Sequence, residues 1–114
     1  MFKIEQETSY KWPVTVNIPK DGGKFTKATF TAEFSALPQD EIDNLLQDIR
    51  EGDRDANFAS RCLIGWSAVQ DADGNELPYS DEAKEKLLKM TYVRNGVVTA
   101  FFDSISGGAA RRKN

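Results

Sequence analysis

Two segments near the amino terminus alternate apolar and polar residues, and both place their apolar residues at even-numbered positions. Alternation with a period of two predicts a β-strand with one buried face. The apolar positions are Trp12, Val14, Val16 and Ile18 in the first segment and Ala28, Phe30, Ala32 and Phe34 in the second. Directly opposed residues of an antiparallel pair share a face, so facing positions must sum to an even number. The loop between the two strands therefore has an odd number of residues.

The connection between these strands has the composition of a turn. Residues 19–24 read Pro-Lys-Asp-Gly-Gly-Lys, and Pro, Asp and Gly each favour turn conformations. Because the loop length must be odd, a two-residue Asp-Gly turn is disfavoured. We expect a loop of three or five residues with Gly at a left-handed position. Phe25 falls outside the alternation, which predicts either a bulge or the edge of the loop.

Two helices are predicted after the hairpin. The first opens around Pro38, which suits a first helical turn, and ends at Gly52. Its apolar stripe has helical spacing and consists of Ile42, Leu45, Leu46 and Ile49. The second helix is short and runs to Cys62, with Asp53 or Asp55 as its cap.

A third strand is predicted next, because Ile64, Trp66 and Ala68 alternate with Gly and Ser. Residues 71–75 follow as a turn. Ser80 then caps a third helix, with acidic residues in its first turn and lysines in its last. The apolar stripe of this helix consists of Ala83, Leu87 and Met90.

The fourth helix, of roughly fifteen residues, is capped by Thr91 and stops at Gly107 and Gly108. One apolar face consists of Val93, Val97, Ala100, Phe101 and Ile105. Val98 and Phe102 add a second strip beside it. Gly96 weakens the helix, so a break at this position is an alternative.

These elements predict an α+β fold, in which a short antiparallel sheet is covered by three or four helices. The sheet consists of the N-terminal hairpin and the later strand. The chain of 114 residues corresponds to one domain. We assign residues 1–106 to that domain and residues 107–114 to a flexible basic tail.

Composition excludes several kinds of catalytic and metal site. The chain has no His, which excludes Ser-His-Asp and Cys-His catalysis and His-ligated zinc. Cys62, the single cysteine, is interpreted as a core side chain. Asp71, Asp73 and Gly74 match part of a calcium loop, but Ser80 stands where that loop needs a carboxylate, so a plain turn is favoured. We therefore expect no enzyme activity, no catalytic residue, no cofactor and no metal site.

Charge and hydropathy narrow the expected partners and compartment. The 15 basic and 18 acidic residues give a net charge of −3, and residues 38–55 are strongly acidic. Phosphate-binding surfaces need clustered cations, so nucleic acid is not an expected partner. No apolar stretch approaches the ~20 residues of a membrane helix, and the amino terminus does not resemble a secretory signal. We expect a cytoplasmic protein with no membrane partner and no small-molecule substrate.

The fourth helix leaves two interpretations open. Val98 and Phe102 widen its apolar arc beyond what one packing face requires. In one interpretation, a small domain packs this helix on two sides. In the other, an exposed apolar patch recruits another polypeptide. The candidate partner-binding residues are Val98, Phe101, Phe102 and Ile105.

Several short segments also resemble a known family by their order. They are Trp-Pro-Val-Thr-Val at 12–16, Pro-Lys-Asp-Gly-Gly at 19–23, Phe-Thr-Ala-Glu-Phe at 30–34, Ile-Gly-Trp at 64–66, an Asp-x-Asp-Gly turn at 71–74, Leu-Pro-Tyr-Ser at 77–80 and a final Lys-Asn at 113–114. This order resembles the tail assembly chaperones of long-tailed bacteriophages and prophages. The resemblance spans most of residues 10–114.

The resemblance implies a non-catalytic helper of virion morphogenesis. Such chaperones bind the tape measure protein, a long helical polypeptide, and keep it soluble in the host cytoplasm. They are absent from the mature virion. Many are also made as a longer frameshifted product whose extension recruits the major tail tube protein. Self-association through the apolar strip is compatible with this function.

Two alternatives to a chaperone remain. One is a small tail completion or connector protein that stays in the virion. The other is an enzyme or inhibitor that uses the acidic stripe of residues 38–55.

Overall fold

The computed structural model of the protein describes residues 8–50 and 56–106. The described elements are β1 (Ser9–Lys20), β2 (Lys24–Ser35), α1 (Gln39–Arg50), α2 (Ala56–Cys62), β3 (Leu63–Ser67), α3 (Asp81–Leu88) and α4 (Thr91–Ile105). The three strands form one antiparallel sheet in the order β1-β2-β3. The predicted α+β class is confirmed.

Some predictions fall on parts of the chain that lie outside the described residues. These are the basic tail at 107–114, the helix stop at Gly107, the end of the first helix at Gly52 and the cap at Asp53 or Asp55. The assignment of residues 1–106 to a single domain stays a prediction.

The register of the hairpin agrees with the parity of its apolar residues. Val14 lies opposite Phe30, and every other pair in the register also sums to an even number. The loop has three residues, Asp21–Gly23, in which Gly22 and Gly23 adopt φ angles of 79° and 77°. These angles lie in the left-handed region that favours Gly. Phe25 lies at the edge of this loop in continuous register, so of the two alternatives the loop edge is confirmed.

Strand β1 lies at an edge of the sheet and contains two prolines, Pro13 and Pro19. A proline nitrogen cannot donate a hydrogen bond, so within a sheet it is tolerated where it faces an outer edge. The two prolines are an even number of positions apart, and their nitrogens therefore face the same edge. The outer edge of β1 lacks two donors as a result, which hinders the pairing of a further strand.

The structure of β3 shows that one residue predicted to face the core, Ile64, does not do so. Trp66 lies opposite Ala32 as the alternation requires, but Leu63 rather than Ile64 lies opposite Phe34. The register shifts between these pairs, which marks a β-bulge with one extra residue in β3. As a result Leu63 is buried, while 41% of Ile64 is exposed.

The helices cover one face of the sheet and build an aromatic core with it. The ring of Phe101 from α4 contacts Phe34 of β2 and Phe58 of α2 edge to face, with centroid distances of 5.4 and 5.5 Å. The opposite face of the hairpin carries mostly exposed residues. Within residues 8–50 and 56–106, the fold is therefore a two-layer arrangement in which the helices lie on one side of the sheet.

Helix α3 confirms its predicted cap but not its whole apolar stripe. The backbone N–H of Ala83 donates to the Ser80 hydroxyl at 3.1 Å. Leu88 is buried, whereas 43% of Met90 is exposed because α3 ends at Leu88 and Met90 lies in the link to α4. The predicted cap of α4 is also wrong, because Thr91 is its first residue and no side chain caps this end.

The predicted turn after β3 is confirmed. The Asp71 carboxylate accepts hydrogen bonds from the backbone N–H groups of Asp73 and Asn75, at 2.9 and 3.0 Å. The left-handed φ of 83° at Gly74 completes the reversal of the chain.

Helix α4 is continuous through Gly96, so the alternative of a break there is wrong. The helix packs along β1 at this point. A Cβ atom added to Gly96 would lie 2.7 Å from the backbone oxygen of Thr15 and 3.5 Å from methyl groups of Val14 and Val16. The missing side chain therefore lets the backbones of α4 and β1 approach closely.

The substitution Gly96→Ala tests this close approach. Alanine favours an isolated helix by about 1 kcal/mol, but forcing a methyl group against a backbone oxygen costs about 1–3 kcal/mol. We expect a net loss of about 1 kcal/mol in the free energy of unfolding, measured by urea denaturation. Asn95→Ala, at an exposed neighbouring position, is the control and should leave stability nearly unchanged. A Gly96→Ala protein more stable than the parent contradicts the packing argument.

Candidate functional site

The structure divides the four predicted partner-binding residues between core and surface. Phe101 has no exposed surface and lies inside the aromatic core. Val98 and Phe102 are half-buried, while 43% of Ile105 is exposed. Phe101 is therefore corrected to a core residue, because the face of α4 that carries it is the one packed on the sheet. We call Val98, Phe102 and Ile105 the α4 strip.

The α4 strip is partly covered by α2. The ring of Phe102 lies 5.0 Å from that of Phe58, tilted by 33°, and Val98 also packs against the core. Ile105 is the last residue of the helix. The strip thus combines packing within the domain with exposed apolar surface. Its role in partner binding stays a prediction.

A second apolar surface lies at the tip of the hairpin, and the sequence patterns did not reveal it. It is a groove of about 270 Å³ between the inner face of the hairpin, the residues after β3, and the junction of α3 with α4. We call it the tip groove, and its apolar lining includes Ile18, Ala28, Phe30, Val69, Leu87, Met90 and Tyr92. Ala28 was predicted to be buried but is exposed.

The tip groove exists because α4 packs on β1 and makes few contacts with β2. The inner face of β2 near Ala28 therefore has no helix directly over it. Sequence reasoning missed the groove because Ala28 and Met90 both lie in apolar stripes that count as core. A local sequence signal was the position of Met90 directly before Thr91, where the third predicted helix gives way to the fourth.

The single thiol is sequestered rather than activated. Cys62 is fully buried at the end of α2, and its thiol donates to the backbone oxygen of Ala59 at 3.5 Å. Burial raises the pKa of the Cys62 thiol to about 12, because the thiolate would lose its hydration. The prediction that Cys62 is a core side chain is confirmed.

The described acidic and basic groups mostly have structural partners or face solvent. Glu41 of α1 forms an ion pair with Arg61 of α2, and Asp40 and Asp43 are exposed. The ammonium group of Lys84 donates to the backbone oxygens of Ser60 and Leu63 and so ties α3 to the α2–β3 junction. Within residues 8–50 and 56–106, no group of three or more acidic, Cys or His side chains could hold a metal ion.

Helix length and hydropathy decide whether a segment can cross a membrane. None of the helices in the described part of the chain is long and apolar enough to span a bilayer.

Comparison with known proteins identifies the class as a protein of bacteriophage or prophage origin. Residues 24–114 match the family described as YdaY prophage protein. Because this match covers most of the chain, the protein belongs to the YdaY prophage protein family. No curated protein and no solved structure matches the chain significantly.

The buried thiol leads to a prediction about its reactivity. With a pKa of about 12, only roughly 10⁻⁴ of Cys62 is thiolate at pH 8, and the thiolate is the reactive form. We expect Ellman's reagent to react with the native protein far more slowly than with the protein in denaturing urea. A native rate within about tenfold of the unfolded rate contradicts a sequestered thiol.

Paired truncations separate packing from exposure in the α4 strip. Phe102→Ala should lower the free energy of unfolding by about 2 kcal/mol, less than the 3–5 kcal/mol typical of a fully buried Phe. Ile105→Ala should change it by about 0.5 kcal/mol or less because much of the side chain is exposed. Urea denaturation measures both values. Equal losses in the free energy of unfolding for Phe102→Ala and Ile105→Ala contradict the difference in burial between the two side chains.

Proposed function

We propose that this prophage protein is a tail assembly chaperone that binds the tape measure protein and keeps it soluble during tail morphogenesis. It acts without catalysis, in the host cytoplasm, and is released before the virion is complete. Two findings support the proposal. The chain belongs to a prophage protein family, and the ordered segments between Trp12 and Ser80 resemble those of tail assembly chaperones.

The observation that carries the proposal is the incomplete burial of the α4 strip. Val98 and Phe102 are half-buried, and Ile105 is exposed at the end of the helix. Exposed apolar surface next to a packed core is typical of sites that bind other polypeptides. A helical client can place its apolar face against such a strip.

Charge and valency are compatible with this function. The net charge of −3 keeps the chaperone soluble and disfavours nonspecific binding of anions such as nucleic acids. Several copies can bind along one long client, so a modest affinity at each site is sufficient. Copies with a frameshifted extension would also recruit the major tail tube protein.

Co-expression with the tape measure protein of the same prophage tests the proposal. We expect the tape measure protein to stay in the soluble fraction only when the chaperone is present. Ile105→Asp should lower the soluble yield severalfold because a charge disrupts an apolar contact. Ile64→Asp is the matched control, since Ile64 is 41% exposed, Ile105 is 43% exposed, and the two lie on different elements.

Three outcomes count against the proposal. A tape measure protein that is equally soluble without this chain contradicts chaperone function. An Ile64→Asp variant as defective as Ile105→Asp contradicts the role of the α4 strip, provided that both variants keep the parent's thermal unfolding midpoint. Stoichiometric amounts of the chain in purified virions favour a tail completion or connector protein instead.

A further inference from the structure

We propose that the tip groove is a second docking site, and that its occupant is an amphipathic helix of a partner protein with a carboxylate beside its apolar face. The groove lies at the hairpin tip, beside the start of α4, whereas the α4 strip includes the last residue of that helix. The inference does not depend on the partner being a tape measure protein.

The lining of the groove suits apolar side chains of a polypeptide. The volume of the groove is about 270 Å³. The walls are mostly apolar, with Thr29 and Gln70 as their polar members, and Met90 and Ala28 present exposed surface there. A groove of this kind accommodates two or three apolar side chains from one face of a helix.

A pair of lysines gives the groove a charge preference. Lys20 and Lys24 lie directly opposite each other at the end of the hairpin. Both occupy even positions, so they lie on the same face of the sheet as Ile18 and Ala28, which line the groove.

This lysine pair is unfavourable within the monomer. Like charges directly opposite each other destabilise a strand pair. Among the described residues, the side-chain ammonium groups of Lys20 and Lys24 have no ion-pair or hydrogen-bond partner. A carboxylate placed at this end of the groove would relieve the repulsion, so charge complementarity selects an occupant with an acidic residue.

The β1 side of the hairpin is poorly suited to pairing with an added strand, because Pro13 and Pro19 supply no N–H donors there. The groove instead opens on the inner face of the hairpin, where side chains and not backbone groups are presented. Recognition through side chains suits a helix laid into the groove.

The backbone of the groove wall is also held in an unusual conformation. Ala68, which lines the groove just after β3, has a φ of 64°. L-residues other than Asn and Asp rarely adopt this left-handed region, and such strain is concentrated at functional sites. The conformation directs the chain from β3 along the groove.

Two synthetic helical peptides test the proposal with the full-length protein. Both carry leucines at i, i+3, i+4 and i+7, one with flanking glutamates and the other with flanking lysines. We expect the glutamate peptide to bind about tenfold more tightly than the lysine peptide, measured by isothermal titration calorimetry at low salt. Its binding should shift the NMR signals of Ala28 and Met90 and leave those of Val98 and Ile105 unchanged.

Charge reversals supply a matched pair of variants. Lys24→Glu places a negative charge on the groove face and should weaken binding of the glutamate peptide by about tenfold or more. Lys27→Glu makes the same change three positions along β2, on the opposite face of the sheet, and should have little effect. Equal effects of the two variants overturn the proposal, because they indicate a response to net charge alone.

Variants of the apolar lining test the location of the site. Met90→Asp should abolish binding of the glutamate peptide, and Ala28→Glu, at an exposed position, provides the same test if Met90→Asp does not fold. Equal affinity for both peptides overturns the proposal. So does a concentration-dependent dimer that Met90→Asp dissociates, since a second copy would then fill the groove. Peptide binding that persists while the tape measure protein stays insoluble supports this inference and counts only against the proposed chaperone function.

Discussion

The close approach of α4 to β1 is the contact on which the rest of the structure depends. It is made at Gly96, where a side chain would collide with the backbone oxygen of Thr15. Because the helix packs so closely against the strand, Phe101 reaches the centre of the domain and contacts both Phe34 and Phe58. At the far end of the helix, a hydrogen bond of 2.6 Å between Tyr10 and Ser104 fixes the same pairing. One glycine therefore sets the distance between the two layers.

The same placement determines which apolar surface stays open. A helix that follows β1 cannot also cover β2 near the hairpin tip, so Ala28 and Met90 are left at the tip groove. Along the other side of α4, Phe58 of α2 contacts Phe102, and both Val98 and Phe102 stay only partly buried. Both candidate binding surfaces are thus consequences of one packing arrangement.

Membership of the YdaY prophage protein family places the chain among phage proteins. The thiol of Cys62 is sequestered, and Lys84 is engaged by two backbone oxygens. What the surface offers is apolar side chains on α4 and an apolar groove with two lysines at one end. These features are compatible with the proposed binding of other polypeptides.

The sequence by itself determined the local features of the fold. The even positions of Val14 and Phe30 determined that the hairpin loop has an odd number of residues, although the structure decided between three and five. Ser80 determined the start of α3, because periodicity and capping act between near neighbours. Only the tertiary structure decided that Ile64 is displaced by a bulge and that Met90 is exposed. An apolar stripe shows which face of an element avoids water, but how far a neighbouring element extends over that face depends on packing between residues distant in the chain.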